Sequence, residues 1–177
     1  MNTAYSYDNI VLTPKYSETK SRSKLDTSAE FLGKRFKSVA IPANMKCTID
    51  FKKAIELSEA GYFYVLHRFY DYDNIYDWVK DNQDLKTISI SVGVNEKDYE
   101  LVNDLFVNKL RVDYITIDVA HGHHVLVKEM IEHIKNHNFK NSAKVIAGNI
   151  GTTYAAVDLK SWGADAVKVG LSMGKSC

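Results

Sequence analysis

YITIDVAHGHHVLVKEMIEHIKNH, residues 114–137, contains one full unit of the architecture. Tyr114 to Val119 is a β-branched run, apolar almost throughout, as a strand in a helix-covered sheet requires. From His123 the period changes to that of a helix, with Val127, Met130, Ile131 and Ile134 on one apolar face. Between the two lies a polar cluster, Asp118-Val119-Ala120-His121-Gly122-His123. The stretch predicts a strand, a decorated strand end and an amphipathic helix.

Working outward, similar β-branched runs occur at Ser38–Ile41, Tyr62–Leu66, Thr87–Val92, Lys144–Ala147 and Ala166–Val169, spaced 22 to 30 residues apart. A helix-like stretch, FKKAIELSEAG (51–61), puts Phe51, Ala54, Ile55, Leu57 and Ser58 at helical spacing and stops on Gly61. Strands alternating with helices at this interval mean βαβ crossovers and a parallel sheet, either doubly wound or a (β/α)8 barrel. The strand ends favour the barrel. Polar or glycine-bearing clusters follow all six runs: Pro42 to Met45, His67-Arg68, Gly93, Asp118 to His123, Gly148 to Thr152 and Gly170 to Cys177. A barrel brings such ends to one mouth, whereas a doubly wound sheet concentrates them at one switch point. The fold class expected is α/β, a (β/α)8 TIM-barrel type truncated after about six strands. Residues 1–177 then form a single incomplete barrel domain, with 1–37 an N-terminal extension and hairpin and 38–177 the βα units 1 to 6. Open edges on the first and sixth strands invite pairing with another chain.

Composition narrows the partners. With 177 residues, 45% of them hydrophobic, the chain can bury a substantial core. A net charge of +1, with basic residues spread along the chain, leaves no footprint for nucleic acid or an anionic membrane. No run of 18 apolar residues and no secretory leader is present, so a cytoplasmic location and no membrane association are expected. The partner expected is a small molecule.

Two cysteines, Cys47 and Cys177, make no disulfide framework. Cys47 reads as a buried small hydrophobe. Cys177 ends GADAVKVGLSMGKSC (163–177), a strand followed by a glycine-spaced loop. A thiol on such a loop is exposed enough to act as a nucleophile, and backbone N–H groups, with Lys175 nearby, lower its pKa. His121, His123 and His124 follow Asp118 closely, but their spacing forms no HExxH pattern and no metal centre is expected from them. His133 and His137 share a helix face and read as solvated.

GYFYVLHRF (61–69), ISISVGV (88–94), ITIDVAHGH (115–123), VIAGNIGT (145–152) and GADAVKVG (163–170) together resemble the GMP reductases of low-GC Gram-positive bacteria. The resemblance begins at YDNIVLTPKYSETKSRSKLDTS (7–28) and runs along nearly the whole chain. The sister family, IMP dehydrogenase, shares the barrel and cysteine loop but usually carries a large insertion after the second strand. Only about 20 residues separate His67 from Ile88 here.

The resemblance implies an NADPH-dependent reductive deamination of GMP to IMP and ammonia, in purine salvage. Cys177 aligns with the nucleophile that attacks C2 of the purine and forms a thioimidate, which hydride then resolves. Asp118, Val119, Ala120, Asn149, Gly151 and Arg68 align with positions on the cofactor side. Asn44, Met45 and Ser176 align with positions on the nucleotide side. For Asp118, capping of the next helix is a competing role, as a solvated surface position is for Arg68. Backbone carbonyls at Ser172, Gly174 and Cys177 match the family's monovalent-cation ligands, usually for potassium. Ser172 replaces a glycine and Met173 a proline in that loop, which puts cation binding in doubt. The family assembles as homotetramers. Its acid–base residues, phosphate-binding loops and flap follow the cysteine, so a poor enzyme alone, or one needing a complementing C-terminal half, is expected. An inactive assembly module and an IMP dehydrogenase-like oxidoreductase are the alternatives.

Overall fold

The computed structural model describes residues 9–38, 40–137 and 143–171. Near the N-terminus a 3-10 turn, Arg22–Lys24, precedes an antiparallel hairpin of β1 (Ala29–Phe31) and β2 (Lys34–Phe36). Leu32 and Gly33 form its two-residue turn with φ of +47° and +88°. Positive φ at both central positions matches the right-handed twist of the flanking strands, and glycine accepts it without strain.

A four-stranded parallel sheet follows, in which β3 (Ser89–Val92), β4 (Tyr114–Asp118), β5 (Lys144–Ile150) and β6 (Ala166–Val169) lie in sequence order. Helices α1 (Phe51–Ala60), α2 (Tyr72–Asp81), α3 (Glu96–Val107), α4 (Val125–Asn136) and α5 (Thr153–Ser161) make the other layer. The strand order never reverses. Because parallel crossovers are right-handed, sequential order keeps every helix on one face, as in a barrel and unlike a doubly wound sheet.

The helix ends are written in short-range chemistry. Asp50 Oδ1 accepts from Lys53 N at 2.6 Å to start α1, and Gly61 ends it with φ of +80°. Asn95 and Asp98 form a reciprocal capping box on α3, and Thr152 Oγ1 accepts from Ala155 N on α5.

Alternation along the strands assigns the two faces. Ile90, Val92, Ile115, Ile117, Val145 and Ala147 point into one core with Leu105 of α3, Met130 and Ile134 of α4, and Leu159 of α5. The other face carries Ser89, Ser91, Tyr114, Thr116, Asp118, Ile146, Gly148, Ala166 and Lys168. The hairpin closes the amino-end of this inner face. Phe31 and Phe36 sit 4.9 and 5.3 Å from the Phe63 ring, and Phe63 meets Tyr114 edge-on at 5.1 Å.

The first two expected strands differ from the reading of the sequence. Residues 62–66 are extended, but they join the sheet through one parallel bridge, Leu66 to Ile90. Leu66 N donates to Ser89 O at 3.1 Å, and Leu66 O also accepts from the Ser91 hydroxyl at 2.6 Å. Ser38, Ala40 and Ile41 pair with no strand among the described residues, and Ile41 is exposed. Cys47 also differs: it is exposed in the turn before α1, its Sγ 3.6 Å from Thr48 Oγ1. No helix among the described residues is long and apolar enough to cross a membrane.

Candidate active site

The carboxyl ends of the strands carry the polar side chains of the inner face. Asp118 closes β4, Gly148 lies opposite it on β5, and Lys168 lies opposite Gly148 on β6. Lys168 therefore has to reach across a whole strand to find the carboxylate, and the missing side chain of Gly148 clears the way. A Cβ at 148 would lie 2.5 Å from Lys168 O and 2.6 Å from Lys168 Cβ. Lys168 Nζ donates to Asp118 Oδ1 at 2.7 Å and to Asn44 Oδ1 at 3.0 Å. Asn44 Nδ2 donates to Asp118 Oδ2 at 2.8 Å, which closes a ring of three side chains from three separate segments. The pair is partly shielded, with side-chain exposures of 39% for Lys168 and 17% for Asp118. An ammonium and one amide N–H hold the carboxylate in one orientation while leaving lone pairs for a hydroxyl or amide donor.

Arg68 approaches from the second strand end. Its Nε donates to Asp118 O at 3.0 Å, and its guanidinium lies 4.8 Å from the centre of the Phe69 ring. Next to it His67 is buried. Its Nδ1 accepts from Phe69 N at 3.1 Å, and its Nε2 has no hydrogen-bond partner among the described residues. Burial, and then the positive charge of Lys46, lowers its pKa and keeps the ring neutral.

The backbone of β5 locks the loop after β4. Val119 N donates to Gly148 O at 3.0 Å, Asn149 N to Val119 O at 2.7 Å, and Gly122 N to Asn149 O at 2.7 Å. A Cβ on Gly122 would strike Gly148 Cα at 2.9 Å, so glycine permits that approach. The Asn149 side-chain Oδ1 is buried and has no partner among the described residues.

The structure thus brings Asn44, Arg68, Asp118 and Asn149 to one mouth, with Gly151 at the next turn beside Leu171. Asp118 does not cap α4, since His124 takes that position and its Nδ1 accepts from Leu126 N. Val119 contributes backbone only, because its side chain packs into the outer core. Ala120 is exposed, and Met45 follows Asn44 in a turn with 43% of its surface exposed. Ser172, Gly174, Ser176 and Cys177 lie outside the described residues. His123 turns away from the mouth to pair with Asp158 of α5 at 2.8 Å.

Lys168 escaped the sequence reading, and Gly148 was read there only as part of a strand-end cluster. The signal for the first is a lone charge inside an otherwise apolar strand, Ala166-Val167-Lys168-Val169. Below the ring of polar groups a cleft of about 290 Å³ opens on the inner face, walled by Phe31, Ile41, Phe63, Thr116, Ile146 and Lys168 among others.

Comparison with known proteins gives the family. Residues 4–177 match the IMP dehydrogenase / GMP reductase domain. The chain is 47% identical over 174 residues to a GMP reductase of Acidovorax ebreus, covering 98% of this chain and 52% of that protein. It is 47% identical over 178 residues to a GMP reductase of Bacillus subtilis, covering all of this chain and 54% of that protein. Inosine 5' monophosphate dehydrogenase from Legionella pneumophila superposes with a TM-score of 0.80 at 28% identity, over 99% of this chain and 53% of that one. The chain spans about half the length of the curated relatives it matches. Its strand order, its polar carboxyl-end mouth and these matches place it together: the chain belongs to the IMP dehydrogenase / GMP reductase family.

Proposed function

We propose that this chain is the amino-terminal, incomplete barrel domain of a GMP reductase, working in the NADPH-dependent conversion of GMP to IMP and ammonia. The observation that carries the reading is the Asn44–Asp118–Lys168 ring at the carboxyl ends of the strands, in a chain 47% identical to GMP reductases. The similarity to named reductases along the full chain favours this over the dehydrogenase reading.

The residues described fit a dinucleotide on the cofactor side. Asp118 is held in an orientation able to accept from a ribose hydroxyl or a carboxamide, Arg68 braces its backbone, and the buried Asn149 Oδ1, without a partner among the described residues, supplies another acceptor. When bound, the nicotinamide supplies hydride. Asn44 sits on the nucleotide side and, with Met45 and Ser176, contacts base and ribose in this reading. In this reading the Cys177 thiolate would add to C2 of the purine, the 2-amino group would take up a proton and leave as ammonia, and reduction at C2 would release IMP and restore the thiolate. A potassium ion belongs to the same reading through Ser172, Gly174 and Cys177, but no step is assigned to it. Purine salvage, a cytoplasmic location and a homotetramer complete the proposal.

A second reading is favoured by the edge of β6, where Val169 is 67% exposed and Leu171 beside it is exposed as well. Here the chain is an assembly module that pairs this edge with strands of another polypeptide.

The test is GMP-dependent loss of NADPH absorbance, with IMP and ammonia assayed, for the chain alone and mixed with the carboxyl-terminal half of the B. subtilis enzyme. Turnover in either case that disappears in Cys177→Ala supports the reductase. Reduction of NAD with IMP instead would move the assignment to the dehydrogenase. Tight association with the added half and no turnover of either kind would favour the module.

A further inference from the structure

Far from the mouth, on the outer layer, the end of α4 meets α3 through an unusual group of donors. His133 lies in the last turn of α4, His137 is its C-cap, and Asn103 lies on α3. His137 Nε2 is 3.0 Å from Asn103 Oδ1 and 3.3 Å from His133 Nε2. The amide oxygen is an acceptor, and each Nε2 is an acceptor too in the tautomer that protonates Nδ1. A ring proton on His137 Nε2 can serve one of its two neighbours well and not both, whereas a single cation at their meeting point would take a lone pair from each.

The two separations from His137 Nε2 suit such an ion. Metal–nitrogen bonds of about 2.0–2.1 Å separate neighbouring ligand atoms by about 3.0 Å in octahedral and about 3.4 Å in tetrahedral coordination. The rings are also fixed in place. Tyr99 packs edge-on against His133 at 4.9 Å, and Phe106 lies 4.4 Å from His137. The two imidazoles stand at 88° to one another. Each neutral ring has one lone-pair nitrogen, and the tautomer protonated at Nδ1 turns that nitrogen, Nε2, toward the other two atoms of the group. No group of three or more His, Cys, Asp or Glu that could hold a metal ion occurs among the described residues, so the third donor here is an amide oxygen.

We propose that His133, His137 and the amide oxygen of Asn103 bind one divalent transition-metal ion of the imidazole-preferring class, Zn²⁺, Ni²⁺ or Cu²⁺, and thereby staple α4 to α3. Two neutral imidazoles select these ions over Mg²⁺ and Ca²⁺, which favour all-oxygen sites. Water completes the coordination, so the affinity is moderate. The site is independent of the reductase reading.

The experiment titrates the full chain with ZnCl₂ or NiCl₂ alone, by calorimetry and by nitrogen-15 spectra of the histidine rings. The expected result is one ion per chain, with the Nε2 signals of His133 and His137 shifting together. His133→Gln and His137→Gln each weaken binding at least about tenfold and Asn103→Ala less, since an amide oxygen is the weaker donor to these ions. Binding equal in the native chain and both glutamine variants would overturn the proposal, as would ring signals at 133 and 137 that stay in place while metal binds elsewhere. The ring spectra use the native chain, so they decide the matter even if a variant fails to fold. Neither GMP nor NADPH is present, so failure here leaves the reductase reading untouched.

Discussion

The two faces of the sheet share the same four strands and have little else in common. On the outer face, residues such as Ile115 and Ile117 are fully buried against four or five helices, and the packing is apolar and closed. On the inner face, one residue along in each case, the side chains are Tyr114, Thr116 and Asp118, the amino-end is plugged by the hairpin, and the remainder is a cleft edged with charge. The outer face supplies the stability. At its carboxyl end the inner face holds Asp118 and Lys168 in place without sealing them, which a surface that handles ligands requires.

The sharpest test of this contrast substitutes neighbours on opposite faces. Ile115→Ala is expected to cost about 2–5 kcal/mol, whereas Thr116→Val, whose native hydroxyl has no partner among the described residues, changes stability by less than about 1 kcal/mol. Urea unfolding of both proteins measures the difference, and equal losses would erase the distinction between the faces.

Gly148→Ala comes next. Its methyl group meets backbone and side chain of Lys168, and forcing them apart is expected to cost about 1–3 kcal/mol in thermal unfolding. A neutral result would mean that β6 moves aside freely. Lys168→Met leaves Asp118 without its cation. Because both groups are partly solvated, the cost is only about 1 kcal/mol, and it shrinks further in high salt. A loss that does not respond to salt would point to packing instead of charge.

The smallest effect is pH dependence. Burial lowers the pKa of His67, His133 and His137 in the folded chain. Above the unfolded value of about 6.5 both states are neutral and stability is complete. As pH falls through 6.5 and then through the folded values, the unfolded chain binds protons more readily and stability declines. Urea midpoints that stay flat between about pH 7 and pH 5 would contradict it.

Much of this was legible in the sequence, for physical reasons. The helices were readable because their caps are local: Gly61 after α1 and the apolar stripe of α4 lie within a few residues of what they control. Strands β3 to β6 were readable because burial on both sides demands unbroken apolar runs. The segments at 38–41 and 62–66 misled, since β propensity says nothing of whether a partner will take the backbone. At the mouth, Asn44, Arg68, Asp118 and Asn149 were visible as polar strand ends. Lys168 was hidden because its role depends on an absent side chain directly opposite it in space but twenty residues back in sequence, at Gly148. Cys47 looked buried because cysteine usually is, and its turn leaves it outside.

Strands that pair only with their neighbours in sequence have a consequence for how the protein is made. Each of β4, β5 and β6 leaves the ribosome after the strand it needs, 22 to 30 residues behind it. At about 5–20 residues per second of synthesis, each of β4, β5 and β6 finds the edge formed by the preceding strand already made when it emerges. The loop to be closed at each addition is short and of nearly constant length, so its entropy cost is small and repeated rather than large and single.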